Sequence, residues 1–257
     1  MARRAAFINQ ARQEFEGVVL LLDSGDALMG TQLSIQANGE PMVEAMNVMG
    51  YDAVGIGAYE LLQGVDILLA RLDEAAFPFL SANLVLRDGS LLAASYTVLE
   101  RDGLRIGVVG ISEPDGEIFM RTSGLVGVIK TRNAIDVLAQ LLPEIRAKAD
   151  IVIVLSRLGL DQDQAVAAQV PGIDIIIGGR SRTLMDEPIR VGQTVIVQQG
   201  YQGEWIGRTE VSFDSSWQIV SATTQAVALT PDYPDDPQLA ELAQRWNQKL
   251  ATTTPAP

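Results

Sequence analysis

Seven apolar runs of strand length alternate with stretches of helical periodicity, at residues 17 to 23, 52 to 57, 79 to 85, 104 to 111, 150 to 156, 173 to 178 and 193 to 198. That alternation constrains the fold more than any other feature. Near-continuous aliphatic runs are how strands buried on both faces read, and helices between them make βαβ crossovers over a largely parallel sheet. The helical stretches are 3 to 15, 40 to 49, 58 to 70, 131 to 148 and 161 to 169, the last stopped by Pro171. A hairpin follows at 203 to 229, "GEWIGRTEVSFD" and "WQIVSATTQAVAL" meeting at "DSSW". Beyond residue 230 the Pro/Asp-rich "TPDYPDDPQ" reads as a linker, "LAELAQRWNQKL" as a short amphipathic helix and "ATTTPAP" as a tail. The chain therefore divides into one domain over residues 1–230 and an appendage over 231–257.

Composition sets limits on chemistry. A chain of 257 residues with 47% apolar content buries a full core, and its net charge of −13 repels nucleic acid and anionic membranes. Runs such as "VVLLL" and "IVIVL" fall far short of the roughly 20 residues of a membrane helix, and no signal peptide is visible in "ARRAAFINQARQEFEG". There is no cysteine and no histidine. Thiolate and imidazole metal ligands, cysteine nucleophiles and Ser-His-Asp catalysis are thereby excluded.

Four of the apolar runs end in unusual polar loops: "VVLLLDSGD" at Asp26, "YDAVGIGAYE" at Ala58, Tyr59 and Glu60, "ADIVIVLSRLG" at Arg157, and "DIIIGGRSR" at Arg180 and Arg182. In parallel α/β sheets, sites form outside the carboxyl ends of strands, so these loops are expected to line one crevice. Gly25, Gly57, Gly159, Gly178 and Gly179 flank the polar residues, where tight turns or close approach need them.

Taken in order, "LLLDSGDALMGTQLS", "MNVMGYDAVGIGAYELLQGVD", "FLSANLVL", "DGLRIGVVGIS", "ADIVIVLSRLGLDQD" and "IDIIIGGRSRT" resemble the metallophosphatase domain of bacterial 5'-nucleotidases and cyclic phosphodiesterases, within the calcineurin-like phosphoesterases, over roughly residues 2 to 245. The resemblance implies an α/β sandwich with mixed sheets inside and helices outside. It also implies that Asp26 stands where the family's Gly-Asp aspartate bridges two metal ions. Departures follow. The family's Gly-Asn-His-Glu is Gly57, Ala58, Tyr59 and Glu60 here, its Ser-His-Leu-Gly is Ser156, Arg157, Leu158 and Gly159, and its Gly-Gly-His-Ser-His-Thr runs from Gly178 to Thr183 with Arg180 and Arg182 in the histidine places. The first family motif, Asp-x-His at a strand end, has no counterpart, and residues 2 to 15 resemble the helix that follows that strand.

Two-metal hydrolysis needs lone-pair donors to hold cations that lower the pKa of bound water from about 15.7 towards 7. Guanidinium is donor-only and stays protonated, so the substitutions predict a site with no metal, no cofactor and no catalytic residue. The arginines Arg157, Arg180 and Arg182 then have two readings: a salt-bridge network with Asp26 and Glu60 that replaces the metals as a staple, or a binding site for phosphate, sulfate or a phosphorylated small molecule. Residual hydrolysis is a third outcome, dependent on Asp26. Tyr59 is expected to pack with its hydroxyl wet, Trp205 and Trp217 to lie in the core, and "SEPDGE" at 112 to 117 to be a solvated turn.

The leading functional expectation is a catalytically inactive 5'-nucleotidase-like protein serving as a structural or protein-interaction module. The missing first motif has three readings, a trimmed chain, a start assigned late or a domain that lacks the strand; in the last case a neighbouring strand keeps an open edge, which predicts a protein partner or a homo-oligomer. The resemblance also implies export, although no address is visible.

Overall fold

A computed structural model describes residues 1–113 and 123–253. In chain order the elements are α1 (Ala2–Glu14), β1 (Leu22–Asp23), α2 (Gln32–Gln36), α3 (Glu40–Met49), β2 (Ala53–Gly55), α4 (Val65–Glu74), β3 (Phe79–Leu80), β4 (Leu84–Leu86), β5 (Tyr96–Arg101), β6 (Leu104–Ile111), β7 (Ile129–Thr131), α5 (Ala134–Arg146), β8 (Ile151–Ser156), α6 (Leu160–Gln169), β9 (Ile175–Ile177), β10 (Ile189–Val191), β11 (Thr194–Val197), β12 (Trp205–Phe213), β13 (Ile219–Ala228) and α7 (Pro237–Thr253).

Two sheets face each other. The larger runs β10-β11-β9-β8-β6-β5, with β6, β8, β9 and β11 parallel and an antiparallel strand at each edge. The smaller, β1-β2-β3, is parallel, and β12 and β13 form a separate antiparallel ribbon. Because side chains alternate along a strand, β8 feeds two cores. Val152 and Val154 pack with Leu138, Leu142 and Ile145 of α5 and Val166 of α6, while Ile151, Ile153 and Leu155 meet Ala53 and Leu80 of the small sheet. The outer face of the small sheet, through Val54 and Ile56, packs against Met46 of α3, Leu68 of α4 and Ile8 of α1. The result is two sheets between two helical layers, the sandwich expected from the sequence.

Some elements differ from their sequence expectation. The run at 58 to 70 is not one helix: Gly64, at φ +93°, interrupts it, the segment before it makes isolated turns, and α4 starts at Val65. The N–H groups of Gly57, Ala58 and Tyr59 donate to the carboxylates of Glu60, Glu113 and Asp26. Of the run at 17 to 23, only Leu22 and Asp23 join a ladder. The hairpin forms as expected from Trp205↔Ala228 to Phe213↔Ile219, but its tip leaves Trp217 39% exposed, outside the core in which it was expected. The C-terminal helix is part of the main core, because Leu239, Leu242 and Trp246 of α7 are buried against α1 and α3, and Trp246 Nε1 donates to Glu44 at 2.7 Å. The acidic turn "SEPDGE" lies outside the described residues from position 114 onward.

Candidate functional site

The loops after β1, β2, β6 and β8 converge on a buried group of charged side chains. Asp26, three residues past β1, holds a left-handed backbone at φ 61° that presents its carboxylate inward, a conformation aspartate tolerates better than most residues. Its Oδ1 accepts from the Tyr59 N–H at 2.9 Å, and its Oδ2 accepts from Nη2 of Arg157. Arg157 directly follows β8, is anchored by its own N–H to the Ile111 carbonyl at 2.8 Å, and is 8% exposed. Glycine is required on both sides of this pair. A Cβ at Gly57 would fall on Oδ1 of Asp26, and one at Gly179 would fall on Arg157 Nη1 and 2.6 Å from Ser24 Oγ.

Glu60 is fully buried and works as a clasp. Its carboxylate accepts from the N–H groups of Gly57 at 2.7 Å, Asp26 at 2.8 Å, Ala27 at 2.6 Å and Leu28 at 3.1 Å. It thereby ties the β1 loop to the β2 loop. Burial and the neighbouring Asp26 charge push its pKa up to about 8, opposed by the backbone N–H donors. Ala58, also fully buried, sends its N–H to Glu113 Oε1 at 3.2 Å.

Two acids complete the arrangement. Glu113, just past β6, is 3% exposed, and its pKa rises to about 7 through burial and then Asp26, against the attraction of Arg157. Asp163, in the first turn of α6, accepts from Ser156 Oγ at 2.5 Å and is also pushed to about 7 by burial. Glu113 Oε2, Asp163 Oδ2 and Arg157 Nε have no hydrogen-bond partner among the described residues.

The structure brings Asp26, Ala58, Glu60 and Arg157 into one cluster, with the Tyr59 backbone contributing its N–H. Arg180, at φ 69°, turns back so that Nη1 donates to the Leu158 carbonyl, and the exposed Arg182, at φ 58°, stacks on Tyr201 with 5.1 Å from Cζ to the ring centre. Sequence reasoning missed Glu113 and Asp163. The signal for Glu113 was present, an acid just past the end of an apolar strand, but hidden in a segment that reads as a turn. For Asp163 there was only helix-terminal acidity, which is common.

The donors do not suit a pair of divalent ions. One oxygen of Asp26 is held by a guanidinium, both oxygens of Glu60 are filled by backbone N–H groups, and no three His, Cys, Asp or Glu side chains among the described residues converge as a metal site.

No family profile matches this chain, but individual proteins do. The curated 5'-nucleotidase of Bos taurus is 29% identical over 278 residues, covering 97% of this chain and 47% of its own length. That of Vibrio vulnificus is 27% identical over 248 residues, covering 83% of this chain and 45% of its own length. Among solved structures, a 5'-nucleotidase precursor from Thermus thermophilus superposes with a TM-score of 0.87 at 25% identity, over 98% of this chain and 53% of that one. Over nearly its whole length the chain is thus similar to the metallophosphatase part of 5'-nucleotidases, in sequence and in fold. The metallophosphatase fold itself is seen again in the calcineurin-like phosphoesterase YfkN from Bacillus subtilis, at a TM-score of 0.84 and 21% identity over 96% of this chain and 88% of that one. The chain spans about half the length of the curated relatives it matches. No helix among the described residues is long and apolar enough to cross a membrane.

Proposed function

We propose that this chain is a catalytically inactive member of the 5'-nucleotidase family, kept as a structural or protein-interaction module. The observation that carries the reading is the buried pair between Arg157 and Asp26. A guanidinium at the head of Asp26 supplies positive charge to that carboxylate and attracts Glu113, and it does so without any lone pair for a metal. Glu60 serves the backbone instead of a ligand. An extracytoplasmic location goes with this reading, in keeping with a solved relative described as a precursor.

The test is direct. The purified protein, supplied in turn with manganese, zinc and magnesium, is assayed for release of phosphate from nucleoside monophosphates and analysed for bound metal. No turnover above the buffer rate and no stoichiometric metal are expected. Turnover lost in Asp26→Ala would overturn the proposal.

The anion-binding reading is the weaker one. Arg157 is engaged by Asp26, Arg180 by a carbonyl and Arg182 by Tyr201, and buried carboxylates surround the first.

A further inference from the structure

The Pro/Asp-rich stretch after β13, which reads in sequence as a linker, is fastened along α1. Arg3 Nη1 donates to the Leu229 carbonyl at 3.1 Å, the Asp236 N–H to the Ala2 carbonyl at 3.2 Å, and Asn9 Nδ2 to Asp236 Oδ2 at 3.2 Å. This strap carries Tyr233 onto Phe7, edge to face, with ring centres 6.0 Å apart. Phe7, Gln10, Ala11 and Glu14 recur at helical spacing and so share one face of α1. The β12–β13 ribbon places Arg208 directly opposite Gln225, with Val227 two residues along on the same side. Between helix, ribbon and strap lies a cleft of about 240 Å³ lined by these side chains. That volume falls below the roughly 300–1,000 Å³ of drug-sized ligand sites, so its occupant is small.

The walls combine aromatic and apolar surface with polar groups of opposite charge. Arg208 uses its Nε on Glu210 at 2.7 Å, while its two Nη groups, the Gln225 side-chain amide and the Tyr233 hydroxyl have no hydrogen-bond partner among the described residues. A guanidinium fork with its outer nitrogens free matches a carboxylate bidentately. On the helix wall, Glu14 accepts from Gln10 Nε2 at 2.8 Å and is the last residue of α1, where the carbonyls of the helix end add negative potential. That wall suits a cation. A bare carboxylate meets repulsion from Glu14 and a bare amine from Arg208, whereas a zwitterion satisfies both and is not repelled by the chain's net charge of −13. We infer that the cleft binds a free aromatic amino acid, with its carboxylate on Arg208, its ammonium on Glu14 and its ring beside Phe7 and Tyr233. Neither Asp26 nor Arg157 nor any residue of their cluster lines the cleft, so this binding is separate from the inactive-enzyme reading.

A ligand series on the unaltered protein supplies the test. In calorimetric titration, L-phenylalanine is expected to bind with a Kd of about 1 mM or tighter. The analogues 3-phenylpropionate, which lacks the ammonium, and phenethylamine, which lacks the carboxylate, are each expected to bind about tenfold or more weakly than that. Arg208→Met and Tyr233→Ala should each weaken phenylalanine by about tenfold, while Arg190→Met, the same change at an exposed arginine on the edge strand β10, leaves it unaltered. The Arg208–Glu210 pair faces solvent, so the melting temperature of Arg208→Met should stay close to that of wild type. No binding of phenylalanine at about 10 mM overturns the inference. So does either analogue binding as tightly as phenylalanine, or an affinity unchanged in both Arg208→Met and Tyr233→Ala. Nucleotide turnover would sink the inactive-enzyme reading without altering these affinities, and a failure of binding here leaves that reading standing.

Discussion

Replacing Arg157 by methionine tests the central interaction. The side chains of Arg157 and Asp26 are only 10% and 17% exposed, so the magnitude appropriate to buried pairs applies, about 3–5 kcal/mol for removing one partner, not the roughly 0–1 kcal/mol of a surface pair. Methionine retains most of the stem volume. What is lost is the charge, and Asp26 is left with the Tyr59 N–H as its donor, close to Glu60 and Glu113. For a chain of this size a loss of about 3 kcal/mol lowers the melting temperature by roughly 6–12 °C. Urea unfolding of wild type, Arg157→Met, Asp26→Asn and the double variant completes a thermodynamic cycle. The double variant is expected to be more stable than the sum of the single losses predicts, by about 2 kcal/mol, because neither charge is then stranded. A single-variant loss below about 1 kcal/mol, or additive losses, would refute the view that the pair replaces the metals as a staple.

Other outcomes follow from the same geometry. Glu60, Glu113 and Asp163 have native pKa values raised to about 8, 7 and 7, above their unfolded range near 4. The native state therefore binds more protons than the unfolded state between those limits, and stability to urea should fall as pH rises from about 4.5 to about 8; Glu113→Gln should flatten the slope near 7, and stability that increases over that range would contradict the burial described. Glu60→Ala leaves four backbone N–H groups without their acceptor and is expected to cost about 3 kcal/mol or more by urea titration, with a loss under about 1 kcal/mol counting against its role as a clasp. Trp246→Ala should cost about 3–5 kcal/mol in the same assay if α7 belongs to the cooperative unit, since this side chain is 4% exposed against α1 and α3; a separate early transition would show otherwise. Phosphate and sulfate are expected to leave the melting temperature unchanged, and a shift that Arg157→Met or Arg180→Met abolishes would restore the anion-binding reading.

Local pattern alone specified the scaffold. Aliphatic runs such as "IVIVL" and "DIIIGG" became β8 and β9 because period and composition are properties of a few neighbouring residues, and the rule that parallel strands present their ends together gathered Asp26, Glu60 and Arg157 into one crevice. The absence of histidine and cysteine, equally visible, removed whole classes of chemistry. Tertiary structure decided the rest. Arg157 meets Asp26 across 131 positions of chain, Glu113 enters from a strand end that reads as a turn, and Arg182 leaves for Tyr201, although all three arginines look equivalent in sequence. The run at 18 to 22 reads as an interior strand, yet most of it lacks a ladder. Which charges pair and which edges stay open depends on which elements become neighbours in space, and that is settled by packing between sheets, not by the spacing of residues along one strand.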